Sequence, residues 1–170
     1  MREKMSAYFI PFQDDEANVF DSPVPERLFH GTTLENYNSI SESGPDINLS
    51  RECLDFGPAF YTSRSMSQAY KWANAKSGVV IEFSIHAREW EALLRQNVSG
   101  KQWEDLVTEC LNGQINGGYC DVREGECCKN PSEVKKGERP HGFGSQTALM
   151  TRRALQVIRL ADTFQARNKL

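Results

Sequence analysis

The chain has 170 residues, 39% of them hydrophobic and 25% charged, which is typical of one soluble globular domain with its own core. It carries 20 Lys and Arg against 23 Asp and Glu, so its formal net charge of -3 excludes a generally basic nucleic-acid-binding surface. No segment approaches the roughly 18 consecutive apolar residues that a membrane span needs, and no signal peptide is recognisable. We therefore expect an intracellular, cytoplasmic protein with no membrane partner.

The five cysteines favour reduced thiols, because their number is odd and the expected compartment is intracellular. One disulfide at Cys127–Cys128 or nearby remains an alternative. A metal site could in principle be formed by Cys120, Cys127, Cys128 and His141, but their spacing contains no C-x2-C pair and fits no familiar zinc pattern. We therefore expect no bound metal.

The N-terminal residues 1–25 are predicted to form an extended lead-in, because Pro11, Pro23 and Pro25 discourage regular structure. A single domain is predicted to follow over residues 26–170.

The domain is expected to begin with a short strand in "ERLFHGTT". Thr33 can then cap a helix over "LENYNSISES", which Gly44-Pro45 ends. A second short strand is predicted at Phe60-Tyr61-Thr62.

A helix should follow this second strand, capped by Ser65 or Ser67 and running to about Lys76. The β-branched run "VVIEFSI", Val79 to Ile85, predicts a third strand.

In the second half of the chain, short elements of both types alternate without regular βαβ spacing, so the expected class is α+β. The predicted elements are helices over 87–97 and 101–112, a strand at "YCDVRE", a surface loop over 125–144, a strand at "SQTALMT", a short helix at "RRALQVI" and a closing strand at "RLADTFQ".

Three motifs, taken in order, resemble the ADP-ribosyltransferase superfamily of the His-Tyr-Glu type. They are "LFHGTT", "FGPAFYTSRSMSQAYKWA" and "GSQTALMT". They are most similar to a small branch of it that carries Gln or another polar residue in place of the Glu. The resemblance spans roughly residues 27–160 and implies a split β-sandwich of two small antiparallel sheets with flanking helices.

The resemblance implies that NAD is the substrate and that the bond between nicotinamide and ribose is cleaved. His30 would hydrogen-bond the adenosine ribose, and the Gly31 backbone, with Thr32 beside it, would bind the nicotinamide amide. Tyr61 and Trp72 would lie on the two faces of the nicotinamide ring.

Ser67 would contact the carboxamide in the same pattern. Gln146, at the head of a late strand, would hydrogen-bond the 2'-hydroxyl of the nicotinamide ribose, and "CDVREG" resembles the strand that precedes it. His30, Tyr61 and Gln146 would thus be the catalytic set.

Two departures leave the activity open. Ala59 replaces the second glycine of the family's G-x-G turn, and an amide at Gln146 contributes no charge to a developing cation. A mono-ADP-ribosyltransferase or NAD glycohydrolase is the first interpretation, with protein, nucleic acid or water as the acceptor. A catalytically silent module that binds NAD or ADP-ribose is the second, and an RNA 2'-phosphotransferase-like enzyme on the same fold is the third.

"REGE", Arg123 to Glu126, also resembles the E-x-E turn of the arginine-directed transferases. That class would need an arginine on the first strand and Ser-Thr-Ser on the second, which Arg27 and Thr62-Ser63 only partly supply. We interpret "REGE" as a solvated acidic stretch.

Overall fold

The computed structural model describes residues 24–50, 54–74, 77–114 and 118–166. Its strands are β1 (Arg27–Thr32), β2 (Phe60–Thr62), β3 (Val79–Ile85), β4 (Arg95–Asn97), β5 (Val122–Cys128), β6 (Gly142–Leu149) and β7 (Ile158–Gln165). Its α-helices are α1 (Leu34–Ser43), α2 (Met66–Asn74), α3 (Ala87–Glu91), α4 (Gly100–Leu111), α5 (Pro131–Val134) and α6 (Arg152–Leu155). The predicted lead-in, apart from residues 24 and 25, lies outside the described residues.

The strands form two small sheets. The first sheet has the order β1-β3-β7 and is antiparallel throughout. The second has the order β2-β6-β5-β4 and is antiparallel except that β4 pairs in parallel with β5. The predicted α+β class, with two small sheets and flanking helices, is therefore confirmed, and the parallel pair is its one exception among the described strands.

The main core fills the space between the two sheets. Leu28 and Phe83 of the first sheet pack there with Phe60 and Leu149 of the second, and all four are buried. Because successive side chains of a strand point to opposite faces, His30 lies on the same core-facing side of β1 as Leu28. Each fully buried Leu or Phe contributes about 1.5–3 kcal/mol of transfer free energy, so this layer holds the sheets together.

Helix α2 covers the opposite face of the first sheet, where Ala69 and Ala73 pack against Val80 of β3. The helix also crosses Gly31 closely. A Cβ atom on Gly31 would lie 1.9 Å from the carbonyl oxygen of Ala69 and 2.8 Å from the Ala73 nitrogen. Both are backbone atoms, so only glycine fits at this crossing.

Helix α4 covers the outer face of the second sheet. Trp103 and Val107 are buried there with Phe56 and Ala148. The indole nitrogen of Trp103 donates a hydrogen bond of 2.8 Å to the carbonyl oxygen of Glu126, which anchors the helix to β5.

Several elements predicted from local signals have the predicted bounds. The helix over Leu34–Ser43 is capped by Thr33, whose side-chain oxygen accepts from the backbone nitrogen of Asn36, and the strand covers Val79–Ile85. Of the two serines proposed to cap α2, Ser65 does so, because its Oγ accepts from the backbone nitrogen of Gln68 at 3.3 Å.

Two predicted elements are wrong. The helix over 87–97 ends at Glu91 and is followed by β4, because the Leu94 nitrogen donates to the Asp121 carboxylate and Arg95–Asn97 pairs with β5. The surface loop over 125–144 is largely structured, since β5 continues to Cys128, α5 follows, and β6 begins at Gly142.

Four of the cysteines lie in the described residues, and all four are free and buried: Cys110, Cys120, Cys127 and Cys128. The alternative of a Cys127–Cys128 disulfide is therefore wrong. The fifth, Cys53, lies outside the described residues. Within the described ranges, no three His, Cys, Asp or Glu side chains come together as metal ligands.

None of the helices in the described part of the chain is long and apolar enough to cross a membrane.

Candidate active site

The site begins where the two sheets separate. One β-bridge joins them, in which the backbone nitrogens of Phe29 and Ser63 each donate to the other residue's carbonyl at 2.8 Å. Backbone groups of alternate residues point to the same edge of a strand, so Gly31 directs its N–H and C=O toward the edge that Phe29 uses. No hydrogen bond joins Gly31 to β2 among the described residues, so these two groups are unpaired on that edge of β1, although Gly31 itself is buried.

His30 lies beside this opening and connects β1 to β2. Its Nδ1 is 2.6 Å from the carbonyl oxygen of Tyr61, and its ring stacks on Phe60 with a centroid distance of 4.3 Å. A carbonyl oxygen can only accept, so Nδ1 carries the proton and donates this bond.

Tyr61 closes the turn that precedes β2. Its hydroxyl donates to the carbonyl oxygen of Gly57 at 2.6 Å and accepts from the backbone nitrogen of Phe56 at 3.0 Å. Burial raises the pKa of Tyr61, and the hydrogen bond from Phe56 offsets only part of that rise. Tyr61 is therefore a neutral phenol whose hydroxyl is fixed by two hydrogen bonds.

Gln146 lies on the same face of the second sheet as Tyr61. Tyr61 is paired with Ala148 across β2 and β6, and Gln146 is two residues from Ala148 along β6. Only 4% of Gln146 is exposed. Its Nε2 donates to the Asp55 carboxylate at 2.8 Å and to the carbonyl oxygen of Glu126 at 3.0 Å.

Asp55 is a site residue that the sequence analysis missed. Its Oδ2 accepts from Gln146 and also from the backbone nitrogen of Cys128 at 2.7 Å. Burial raises the pKa of Asp55, and these two hydrogen bonds oppose the rise. The available signal was its position one residue before the "FGPAFY" turn, but nothing in the sequence relates it to Gln146, 91 residues later.

Helix α2 carries the remaining predicted residues. Ser67 bonds the Oγ of Ser65 at 2.9 Å at the start of the helix. Trp72 is half-buried and packs against the cluster around Ala69 and Ala73, next to the crossing of Gly31.

The predicted residues thus fall into three groups. His30 and Gly31 lie together at the split, whereas Thr32, the next residue of β1, is buried opposite Val79. Tyr61 and Gln146 share a sheet face. Tyr61 and Trp72 pack against different hydrophobic clusters, so each ring is supported separately.

The "REGE" segment is not a solvated acidic stretch, because Arg123 and Glu124 are buried, although Glu126 is exposed. Glu124 forms a bidentate ion pair with Arg64, with contacts of 2.7 and 2.9 Å, and also accepts from the Thr147 hydroxyl at 2.8 Å. The first glutamate of the E-x-E pattern therefore has structural partners.

The protein is therefore of the α+β class, with two small sheets and a group of polar residues where the sheets separate. The model of the family described as "Protein of unknown function (DUF3990)" matches residues 27–130, and the chain belongs to this family. The matched region includes His30, Gly31, Tyr61 and Asp55 but ends before Gln146. No curated protein shows significant similarity to the chain.

Proposed function

We propose that the protein binds NAD at the split between its sheets and cleaves the bond between nicotinamide and ribose, as a mono-ADP-ribosyltransferase or an NAD glycohydrolase. The observation that carries the proposal is that the backbone N–H and C=O of Gly31 are not paired with β2. A primary carboxamide has one acceptor oxygen and an NH2 donor, and the N–H and C=O of one residue match both. Nicotinamide is a flat ring that carries such a group.

The neighbouring residues supply the other contacts that the reaction needs. His30, the neighbour of Gly31 on β1, would contact a ribose hydroxyl. Tyr61 and Trp72 are flat rings on β2 and α2, and a stacked aromatic contact contributes about 0.5–1.5 kcal/mol beyond its buried area. Gln146 holds an amide on the face of Tyr61, for the 2'-hydroxyl of the nicotinamide ribose.

Proton NMR of the protein mixed with NAD tests the proposal by following free nicotinamide. Trp72→Phe keeps a ring and should retain most of the rate. Trp72→Leu keeps apolar packing without a ring and should lower the rate several-fold. Tyr119→Leu removes an aromatic ring that is 73% exposed, and it should leave the rate unchanged.

Two results would count against the proposal. If the Leu and Phe variants at Trp72 are both folded and have equal rates, an aromatic ring at this position does not contribute to the reaction. If the wild-type protein neither releases nicotinamide nor broadens the NAD signals, NAD is excluded as the ligand.

A silent module that binds NAD or ADP-ribose is the second candidate, and the uncharged side chain of Gln146 favours it. The same spectra distinguish the two candidates, because a silent module broadens the NAD signals without releasing nicotinamide. The phosphotransferase alternative has no comparable support. That chemistry would need several arginines at the site, and the sequence offers Arg64 with Arg51 or Arg152. Arg64 is bound to Glu124, Arg152 is exposed at the start of α6, and Arg51 lies outside the described residues.

A further inference from the structure

The amide of Gln146 has a single orientation. Its nitrogen faces two acceptors, Oδ2 of Asp55 and the carbonyl oxygen of Glu126, so the atom there must be the donor. The amide oxygen of Gln146 consequently points elsewhere, and no described residue donates a hydrogen bond to it. Within the described residues, only Gln68 Nε2 is both enclosed and unpaired, so Oε1 of Gln146 keeps contact with solvent.

The Asp55 carboxylate is held in the same way. Oδ2 accepts both of its hydrogen bonds, from Cys128 and Gln146, and no described residue donates to Oδ1. Oδ1 is not among the enclosed unpaired atoms of the described part either. Asp55 therefore fixes Gln146 through one oxygen and leaves the other oxygen available.

We infer that Asp55 is the positioning residue of the nicotinamide–ribose site and supplies, through Gln146, the negative charge that an amide lacks. The inference rests on the proposed function. A hydrogen bond from an amide to a carboxylate is charge-assisted, and it polarises the amide so that its carbonyl oxygen becomes a stronger acceptor. That oxygen would hold the ribose 2'-hydroxyl.

The proposed reaction is cleavage of the bond between nicotinamide and ribose. The bond between ribose C1' and the nicotinamide nitrogen breaks, its electron pair leaves with nicotinamide, and the ribose becomes an oxocarbenium ion. The pair of Asp55 and Gln146 stabilises that positive charge. Water or another nucleophile then forms the new bond to C1' and releases its proton to solvent.

Asp55→Asn is the informative substitution, because an asparagine oxygen can accept the same two hydrogen bonds at the position of Oδ2. Only the charge is lost. We expect the kcat for nicotinamide release to fall about ten- to hundredfold while the KM for NAD changes less than about threefold. The melting temperature should stay the same or rise, because burial already disfavours the charged form of Asp55.

The double variant Asp55→Asn with Gln146→Glu moves the carboxylate onto β6 and the amide onto the turn. It should recover most of the lost kcat. Gln146→Glu alone places two carboxylates side by side, so its kcat should be lower than that of the double variant. Asp105→Asn, on the exposed face of α4, is the matched control and should behave as wild type.

Binding of the cationic iminosugar 1,4-dideoxy-1,4-imino-D-ribitol gives a readout that does not depend on turnover. It mimics the charge of the oxocarbenium ion, so Asp55→Asn should weaken its affinity about tenfold or more, as measured by calorimetry. An active wild type with unchanged kcat in Asp55→Asn would overturn this inference and leave the proposed function standing. If the wild type is inactive but its iminosugar affinity still depends on Asp55, only the claim of turnover is contradicted. Equal iminosugar affinities for the wild type and Asp55→Asn would overturn the inference.

Discussion

The ion pair between Arg64 and Glu124 should be a principal determinant of stability. It is nearly enclosed, with the two side chains 8% and 5% exposed. The guanidinium meets both carboxylate oxygens, and the Thr147 hydroxyl bonds the nearer one. The pair joins the residues after β2 to β5 across β6, so it holds three strands of the second sheet together.

Glu124→Gln keeps the size of the side chain and removes the charge opposite the buried guanidinium. Removing one partner of a buried, hydrogen-bonded ion pair costs about 3–5 kcal/mol. In a chain of this length each kcal/mol lowers the melting temperature by about 2–4 °C. We therefore expect a decrease of roughly 6–20 °C.

Urea denaturation followed by circular dichroism measures this loss as a change in the free energy of unfolding. Glu82→Gln is the matched control, because it makes the same substitution in the pair with Arg27, whose side chain is 46% exposed. That control should cost less than about 1 kcal/mol. The double variant Arg64→Met with Glu124→Met should recover part of the loss, since it leaves no unbalanced charge.

Equal losses for Glu124→Gln and Glu82→Gln would refute the reasoning, because burial would then have no effect on the strength of the pair. A double variant that is less stable than Glu124→Gln would also contradict it.

Two further predictions concern Gly31 and Asp121. Gly31→Ala should reduce the melting temperature more than Gly118→Ala does. The methyl group at position 31 meets α2 backbone, whereas at Gly118 nothing lies within 4 Å and only the positive φ of 72° opposes alanine, at a cost of about 1–2 kcal/mol. Equal decreases would contradict the close crossing. Burial raises the pKa of Asp121, but hydrogen bonds from Thr151, Leu94 and Tyr119 outweigh it and give a net decrease, so its stabilisation is present above about pH 4 and is lost as pH falls through the lowered pKa. Unfolding measured from pH 5 to 2 should therefore lose stability less steeply in Asp121→Asn than in wild type, and parallel curves would contradict this.

The elements that the sequence predicts well are those whose signals are local. The strand at Val79–Ile85 is a β-branched run, and the helix at Leu34–Ser43 begins after a threonine that caps it. Both signals act within a few residues, so no knowledge of the tertiary structure is needed.

The elements that the sequence does not predict depend on distant partners. β4 exists because Asp121, 27 residues away, accepts from the Leu94 nitrogen. Glu124 is buried because Arg64, 60 residues away, neutralises it. A charged residue is predicted to be exposed to solvent when its ion-pair partner cannot be identified from the sequence.

The same distinction applies to the candidate site. The motif order suggested His30, Gly31, Tyr61 and Gln146 as separate pieces. It could not show that the two antiparallel segments separate after Phe29 on β1 and before Ser63 on the chain that follows β2. That separation decides whether the backbone of Gly31 is open or paired.

The position of Asp55 follows from the turn that Tyr61 closes. The Tyr61 hydroxyl holds both Phe56 and Gly57, so the residue immediately before them has little freedom. This constraint places the carboxylate against β6, where Gln146 can reach it. In the proposed site, therefore, the two residues act as one unit, and their substitutions should not be additive. With Gln146→Ala already made, Asp55→Asn should have little further effect on kcat, whereas independent roles would multiply the two losses.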